Sequence, residues 1–115
     1  MINDNASGNH SYFNPPEWIQ GTFRQVAATG WGVGSRFTDN DFCIIMVNAI
    51  QCYKEQLQSF TNVGGITRVK ETITGTRYAV AITLQSSTVH YKFRKISAIT
   101  IEWVSGTGDF KLHKQ

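Results

Sequence analysis

Apolar and polar side chains alternate with period two along the second half of the chain. Tyr78, Val80, Ile82 and Leu84 share one side of Thr76–Leu84, against Arg77, Ala79, Ala81 and Thr83. Val89, Tyr91 and Phe93 alternate with His90, Lys92 and Arg94 in Thr88–Lys95, and Ile99, Ile101 and Trp103 with Thr100 and Glu102 in Ala98–Val104. Successive strand residues point to opposite faces, so each run predicts a strand with one buried side. Ile66–Ile73 and Phe110–His113 complete this half, with turns at Thr74-Gly75, Gln85-Ser86-Ser87, Ser97 and Gly106-Thr107-Gly108. In the first half, Trp18–Val26 alternates, and a glycine-rich bend at Gly30–Gly34 leads into the short strand Ser35–Thr38. Asp39-Asn40-Asp41 turns the chain into Phe42–Val47, apolar throughout as a strand buried on both faces is. Asn48-Ala49 then predicts a tight turn into a strand Ile50–Gln56, and residues 57–65 a longer loop with room for a helical turn. Residues 1–16 carry no such pattern. They are polar, end in Pro15-Pro16, and read as a disordered tail or tether.

Composition narrows the architecture. The chain has 31 Thr, Ile and Val residues against 10 Leu and Ala, a balance that favours pleated sheet and excludes helical bundles and nucleotide-binding α/β folds. Its 115 residues suit one domain, spanning residues 17–115. Eight or nine short strands joined by turns predict an all-β antiparallel up-and-down meander. So long a meander in so short a chain avoids exposed edges by closing into a small barrel.

The opening Trp18-Ile19-Gln20-Gly21-Thr22-Phe23 resembles the first-strand signature of lipocalin-like barrels, a Gly-x-Trp element, with Phe23 standing at the Trp position. Lys111 and Lys114 are the candidates for the basic residue that covers that ring from a late strand. Phe37–Asp41, Tyr53-Lys54-Glu55, Tyr91-Lys92-Phe93, Lys95-Ile96-Ser97 and Ile101-Glu102-Trp103 follow in similar order. Together these are similar to the small lipocalin-like domains of bacterial cell-envelope lipoproteins. The resemblance implies a barrel, export, a lipid-anchored N-terminal tether and non-enzymatic binding. The chain opens Met1-Ile2-Asn3 without a signal peptide, so it is either cytoplasmic or an exported chain whose leader a start Met has replaced.

The candidate chemistry is sparse. Gly30-x-Gly32-x-Gly34 is followed by strand spacing and not by a helix, so it reads as a flexible bend or a bulge over the barrel mouth and not as a phosphate cradle. His10, His90 and His113 lack ligand spacing, and no metal or cofactor is expected. Cys43 and Cys52 fall on adjacent strands. With the turn at Asn48-Ala49 they are diagonal neighbours at a spacing long for a disulfide, whereas a slip or bulge would bring them opposite; a disulfide and buried free thiols both stay open. Glu71 is the one carboxylate the alternation places inward. Asn5-Ala6-Ser7 and Asn9-His10-Ser11 match the glycosylation triplet, which arises by chance in an Asn- and Ser-rich tail.

Two binding surfaces follow. The first is a barrel mouth for a small apolar or amphipathic ligand, formed by Trp31 and Val33 on the glycine-rich loop with Tyr78, Tyr91, Phe93 and Trp103 on inward faces. The alternative is an outer basic face of Arg68, Lys70, Arg77, Lys92 and Arg94 that docks an acidic protein or anionic lipid headgroups, as a protein-binding or inhibitor module would. Net charge is only +3 and no exposed aromatics interleave these cations, so nucleic acid is not an expected partner. No nucleophile–base or paired-acid arrangement is visible, and no apolar run reaches the roughly 18 residues of a membrane span.

Overall fold

The computed structural model describes residues 12–105 and 108–115. After a 3-10 turn at Glu17–Ile19 come the strands β1 (Gly21–Ala27), β2 (Gly30–Phe37), β3 (Phe42–Ile45) and β4 (Ile50–Cys52), then the helix α1 (Tyr53–Asn62). The strands β5 (Thr67–Ile73), β6 (Arg77–Leu84), β7 (Ser87–Lys95), β8 (Thr100–Ser105) and β9 (Gly108–Lys114) follow. All pair antiparallel in one sheet of order β4-β3-β2-β1-β9-β8-β7-β6-β5. This is the expected all-β meander, curled into a half-barrel. Its first and last strands pair, Phe23 with Lys114 and Arg24 with His113, so the free edges are β4 and β5 in the middle of the chain.

Helix α1 bridges that seam. The expected strand Ile50–Gln56 stops at Cys52, because Tyr53 and Leu57, one helical turn apart, both bury in the core. The helix takes no cap from its own chain start. Asp41 supplies it instead, with Oδ1 accepting from the backbone N–H of Lys54 at 2.9 Å and of Phe42 at 2.7 Å. At the other end the Gly65 N–H donates to the Phe60 carbonyl at 2.9 Å. A Cβ on Gly65 would lie 2.3 Å from the Phe60 ring, so only glycine lets the chain turn this tightly into β5.

The seam is filled from inside by residues expected to belong to the tail. Phe13 is fully buried, with its ring 6.1 Å from that of Phe42 and 6.5 Å from that of Tyr53. Pro15 is also buried, and Asn14 donates through its backbone N–H and Nδ2 to Glu71, at 2.7 and 3.2 Å. The domain therefore begins at least as early as Tyr12, because an aromatic and a proline have apolar surface to hide and the unpaired seam offers the place. Residues 1–11, with both glycosylation triplets and His10, lie outside the described residues, as does the Gly106-Thr107 turn.

Elsewhere the core follows the alternation. Phe37 is its centre, 5.0 Å from Phe93, 5.4 Å from Phe42 and 5.8 Å from Tyr78 between ring centroids. Phe23, Val80, Ile82, Ile101 and Leu112 close around it.

Two further expectations are corrected. The glycine-rich run 30–34 makes no bend over the mouth; it is the first part of β2, paired with β1, and carries the bulge that was the other reading of these glycines. Between the pairs Arg24–Gly34 and Val26–Trp31, β1 advances two residues and β2 three, so Gly32 and Val33 bulge opposite Gln25. A Cβ on Gly34 would fall 2.0 Å from the Phe23 carbonyl oxygen, which is why this tight pairing takes glycine. The β3–β4 turn is centred on Val47-Asn48, one residue earlier than the sequence suggested, with the Met46 N–H donating to the Ala49 carbonyl at 2.8 Å. That shift sets Cys43 directly opposite Cys52, and the two form a disulfide.

Candidate functional site

The antiparallel order sends alternate connections to opposite ends of the half-barrel, and the ends differ in chemistry. One end carries the turns β1–β2, β3–β4, β6–β7 and β8–β9 and the link from α1 to β5. Each lies within an uncharged run: residues 25–35, 42–53, 56–67, 78–89 and 103–108 contain none of the chain's 11 Lys and Arg, 8 Asp and Glu or 3 His residues. Most of the exposed large apolar side chains among the described residues are here, with Met46, Val47 and Ile50 around one turn, Val63 and Ile66 on another, and Val26 beside Trp31 on a third. The opposite end carries Asp39 and Asp41 in one connection, Lys54 and Glu55 in the next, and Arg77 and Lys95 at two more. Apolar surface gathered at the tips of separate turns is not needed for any of them to fold.

The sequence-predicted ligand residues do not form one cavity. Tyr78 and Phe93 are core residues, 0% and 2% exposed, because both pack edge-on against the Phe37 ring. Trp31 and Val33 sit in β2 and form no loop over the interior, so the expected lid is absent from that position. Tyr91 and Trp103 do come together, half-buried with rings 6.0 Å apart, and Trp103 meets Phe110, which is 41% exposed, edge-on at 6.2 Å. This aromatic row runs toward the apolar end. The Tyr91 and Tyr53 hydroxyls are 2.9 Å apart, and burial, followed by that hydrogen bond, raises the Tyr91 pKa above the ordinary 10.0.

A cleft of about 540 Å³ opens between α1 and the free edge of β5. Tyr12, Gln58, Thr61, Thr67, Arg68 and Val69 line it. The hydroxyls of Tyr12, Thr61 and Thr67 form a chain across its wall, at 3.0 and 2.8 Å. Its volume lies within the range of small-molecule sites. The β5 edge contributes backbone as well. The bonds Gln85 N–H to Ile66 C=O and Thr74 N–H to Arg77 C=O fix the parity of the β5–β6 ladder, so Thr67, Val69, Glu71 and Ile73 turn their main-chain groups away from β6. Of the lining residues the sequence singled out only Arg68. Tyr12 lay in the presumed tail and Gln58 and Thr61 in the presumed loop, and the cleft exists only because a helix bridges the edges.

Glu71 faces inward as the alternation indicated and is fully engaged. Besides Asn14 it accepts from the Tyr78 hydroxyl at 2.5 Å. Burial first, and the adjacent carboxylate second, hold the Tyr78 phenol well above its ordinary pKa.

The basic face is present on the outside of β5–β7. Lys70, Thr72, Ala79, Ala81, His90 and Lys92 line a shallow trough of about 210 Å³ whose floor is the two alanines. Register places Lys70 across Ala81 from His90, and Thr72 across Ala79 from Lys92. Arg77 lies directly opposite Arg94, whose guanidinium pairs with Glu102, and Arg68 lies on the cleft side. The five predicted cations therefore do not act as one patch.

The two described histidines, His90 and His113, sit apart. His90 is on the trough wall, and His113 Nδ1 lies 3.3 Å from the Thr100 hydroxyl. Asp41, Cys43 and Cys52 come close together, but the sulfurs are bonded to each other and the carboxylate caps α1. Lys114 is the basic residue over the first-strand aromatic, with Nζ 5.8 Å from the Phe23 ring centroid. Comparison of the chain with known protein families, with curated proteins and with solved structures finds no match.

Proposed function

We propose that this protein is a non-enzymatic, lipocalin-like binding module of the cell envelope that holds a small amphipathic molecule in the cleft between α1 and β5. The observation that carries the reading is the cleft itself, about 540 Å³ of hydroxyl- and amide-lined space with one cation, Arg68, opening at the uncharged end. An acyl or aromatic body lies against Val69 and the Tyr12 ring, and an anionic or hydroxylated head meets Arg68 and the threonines. Lys114 over Phe23, two residues after Gly21, supports the lipocalin-like reading. The Cys43–Cys52 disulfide supports export, because such bonds persist in oxidising compartments.

Titration calorimetry with monomeric lysophosphatidylglycerol tests the cleft. Saturable one-to-one binding is expected, weakened about tenfold by Arg68→Glu and lost in Thr61→Trp, which fills the cleft. Absence of binding to the native protein, or equal binding by both variants, overturns the reading.

The basic trough favours a second reading, docking of an acidic protein segment, since its alanine floor leaves room for a chain between Lys70 and Lys92. An aspartate-rich peptide that binds with an affinity sensitive to Lys70→Glu and Lys92→Glu supports it, and indifference to both refutes it.

A further inference from the structure

The turn tips at the uncharged end form a surface separate from the cleft, and its chemistry points to a particular partner. The apolar tips belong to different connections, so they make a discontinuous rim and not a groove that one helix or strand could fill. Val47 and Val63 are each 80% exposed, Val26 66%, Ile66 64%, Met46 53% and Trp31 43%. A rim of Val, Ile, Met and Trp on uncharged loops suits a medium that is apolar everywhere along the contact.

Below the rim the charge returns at one level. Arg24 is three residues before Ala27, which with Gly30 closes the β1–β2 turn, and Lys111 is three after Gly108, which closes the β8–β9 turn. His90 is three after Ser87, and Lys70 pairs with Ala81, three before Leu84, where those two residues close the β6–β7 turn. Strand rise puts this belt about 10 Å back along the strands from the turns. Glu102 stands at the same level and is paired with Arg94. Among the described residues, those between belt and rim that carry charge are Arg68 and Asp109, one of each sign.

We infer that this end docks on an anionic lipid bilayer, with the apolar tips in the headgroup–acyl boundary and Arg24, Lys70 and Lys111 at the phosphates. Interfacial elements sink their apolar face about 5–10 Å, which is the depth that brings a belt 10 Å back to the headgroups. Basic residues there gain from the negative surface potential, and a Trp at the rim suits the interface. This goes beyond ligand binding and rests on a different set of residues.

The test is co-sedimentation of the full chain with vesicles of phosphatidylcholine alone or mixed with phosphatidylglycerol. Binding is expected to the mixed vesicles, to weaken with salt, and to fall about tenfold or more in Val47→Glu/Val63→Glu and in Lys70→Glu/Lys111→Glu. Lys95→Glu, at the opposite end, leaves it unchanged. Brominated acyl chains quench native fluorescence, and less so in Trp31→Phe. The lysophosphatidylglycerol calorimetry is run on the same tip variants. Vesicle binding lost while that binding persists separates the two surfaces and supports the inference. No binding to mixed vesicles, or binding indifferent to both double variants, overturns it whatever the cleft does. Dimers in sedimentation velocity that the tip substitutions dissolve overturn it too, because a second copy then covers the end.

Discussion

Glu71 would be a costly residue to turn inward were it not surrounded by donors. It receives the Tyr78 hydroxyl and both the backbone and side-chain N–H groups of Asn14, so the N-terminal segment is tied to β5 through one carboxylate. Hydrogen bonds to a charged acceptor contribute about 1.5–3 kcal/mol, and Tyr78→Phe is expected to lower unfolding stability by about 1–2 kcal/mol in urea titrations. The same phenol makes stability pH-dependent. Its folded pKa is raised above 10.0, so below pH 10 both states keep the proton and the full stability is present. As pH rises past that value the unfolded chain releases the proton first, and the fold weakens. The denaturation midpoint should therefore drop above pH 10, with a shallower drop in Tyr78→Phe; Tyr91, raised in the same direction, leaves some slope behind. Asp41 is the other residue acting across the chain. Asp41→Ala removes the cap of α1, with an expected loss of about 1 kcal/mol in the same assay.

At the scale of elements, legibility followed period and context. The alternation of Tyr78, Val80 and Ile82 and of Tyr91 and Phe93 fixes β6 and β7 because nothing competes with it. Helix α1 was hidden for two reasons. Its apolar residues Tyr53 and Leu57 lie in a run of only 10 residues among strands, and its capping carboxylate is 12 positions ahead of the first helical residue. The glycines of β2 suggested a bend since glycine weakens strands, whereas Gly34 is there to let β1 approach. The disulfide turned on a one-residue difference in where the hairpin turns, which composition cannot decide. That bond anchors the short edge strand β4 just ahead of α1. Reduction, or Cys43→Ala/Cys52→Ala, should lower stability by roughly 2–3 kcal/mol, from the entropy of so short a closed loop. Leu57→Ala, which removes the fully buried anchor of the helix, should cost about 2–5 kcal/mol in thermal unfolding and loosen the seam.

For the whole molecule the consequential feature is the contrast between the ends. It was present in the sequence as five uncharged runs, yet unreadable there, because only the antiparallel order reveals that all five meet at one end. The cleft between α1 and β5 opens at that end, so one account covers ligand and surface: the uncharged end is where the molecule meets amphiphiles, and the basic flanks stand behind it. Backbone amide shifts on titration with lysophosphatidylglycerol test this most directly. The account predicts changes concentrated at Thr61, Asn62, Thr67 and Arg68 and at the adjoining turn around Gly64. Changes concentrated instead at Asp39, Gly75 and Ser97, or along the trough at Ala79 and Ala81, would contradict it.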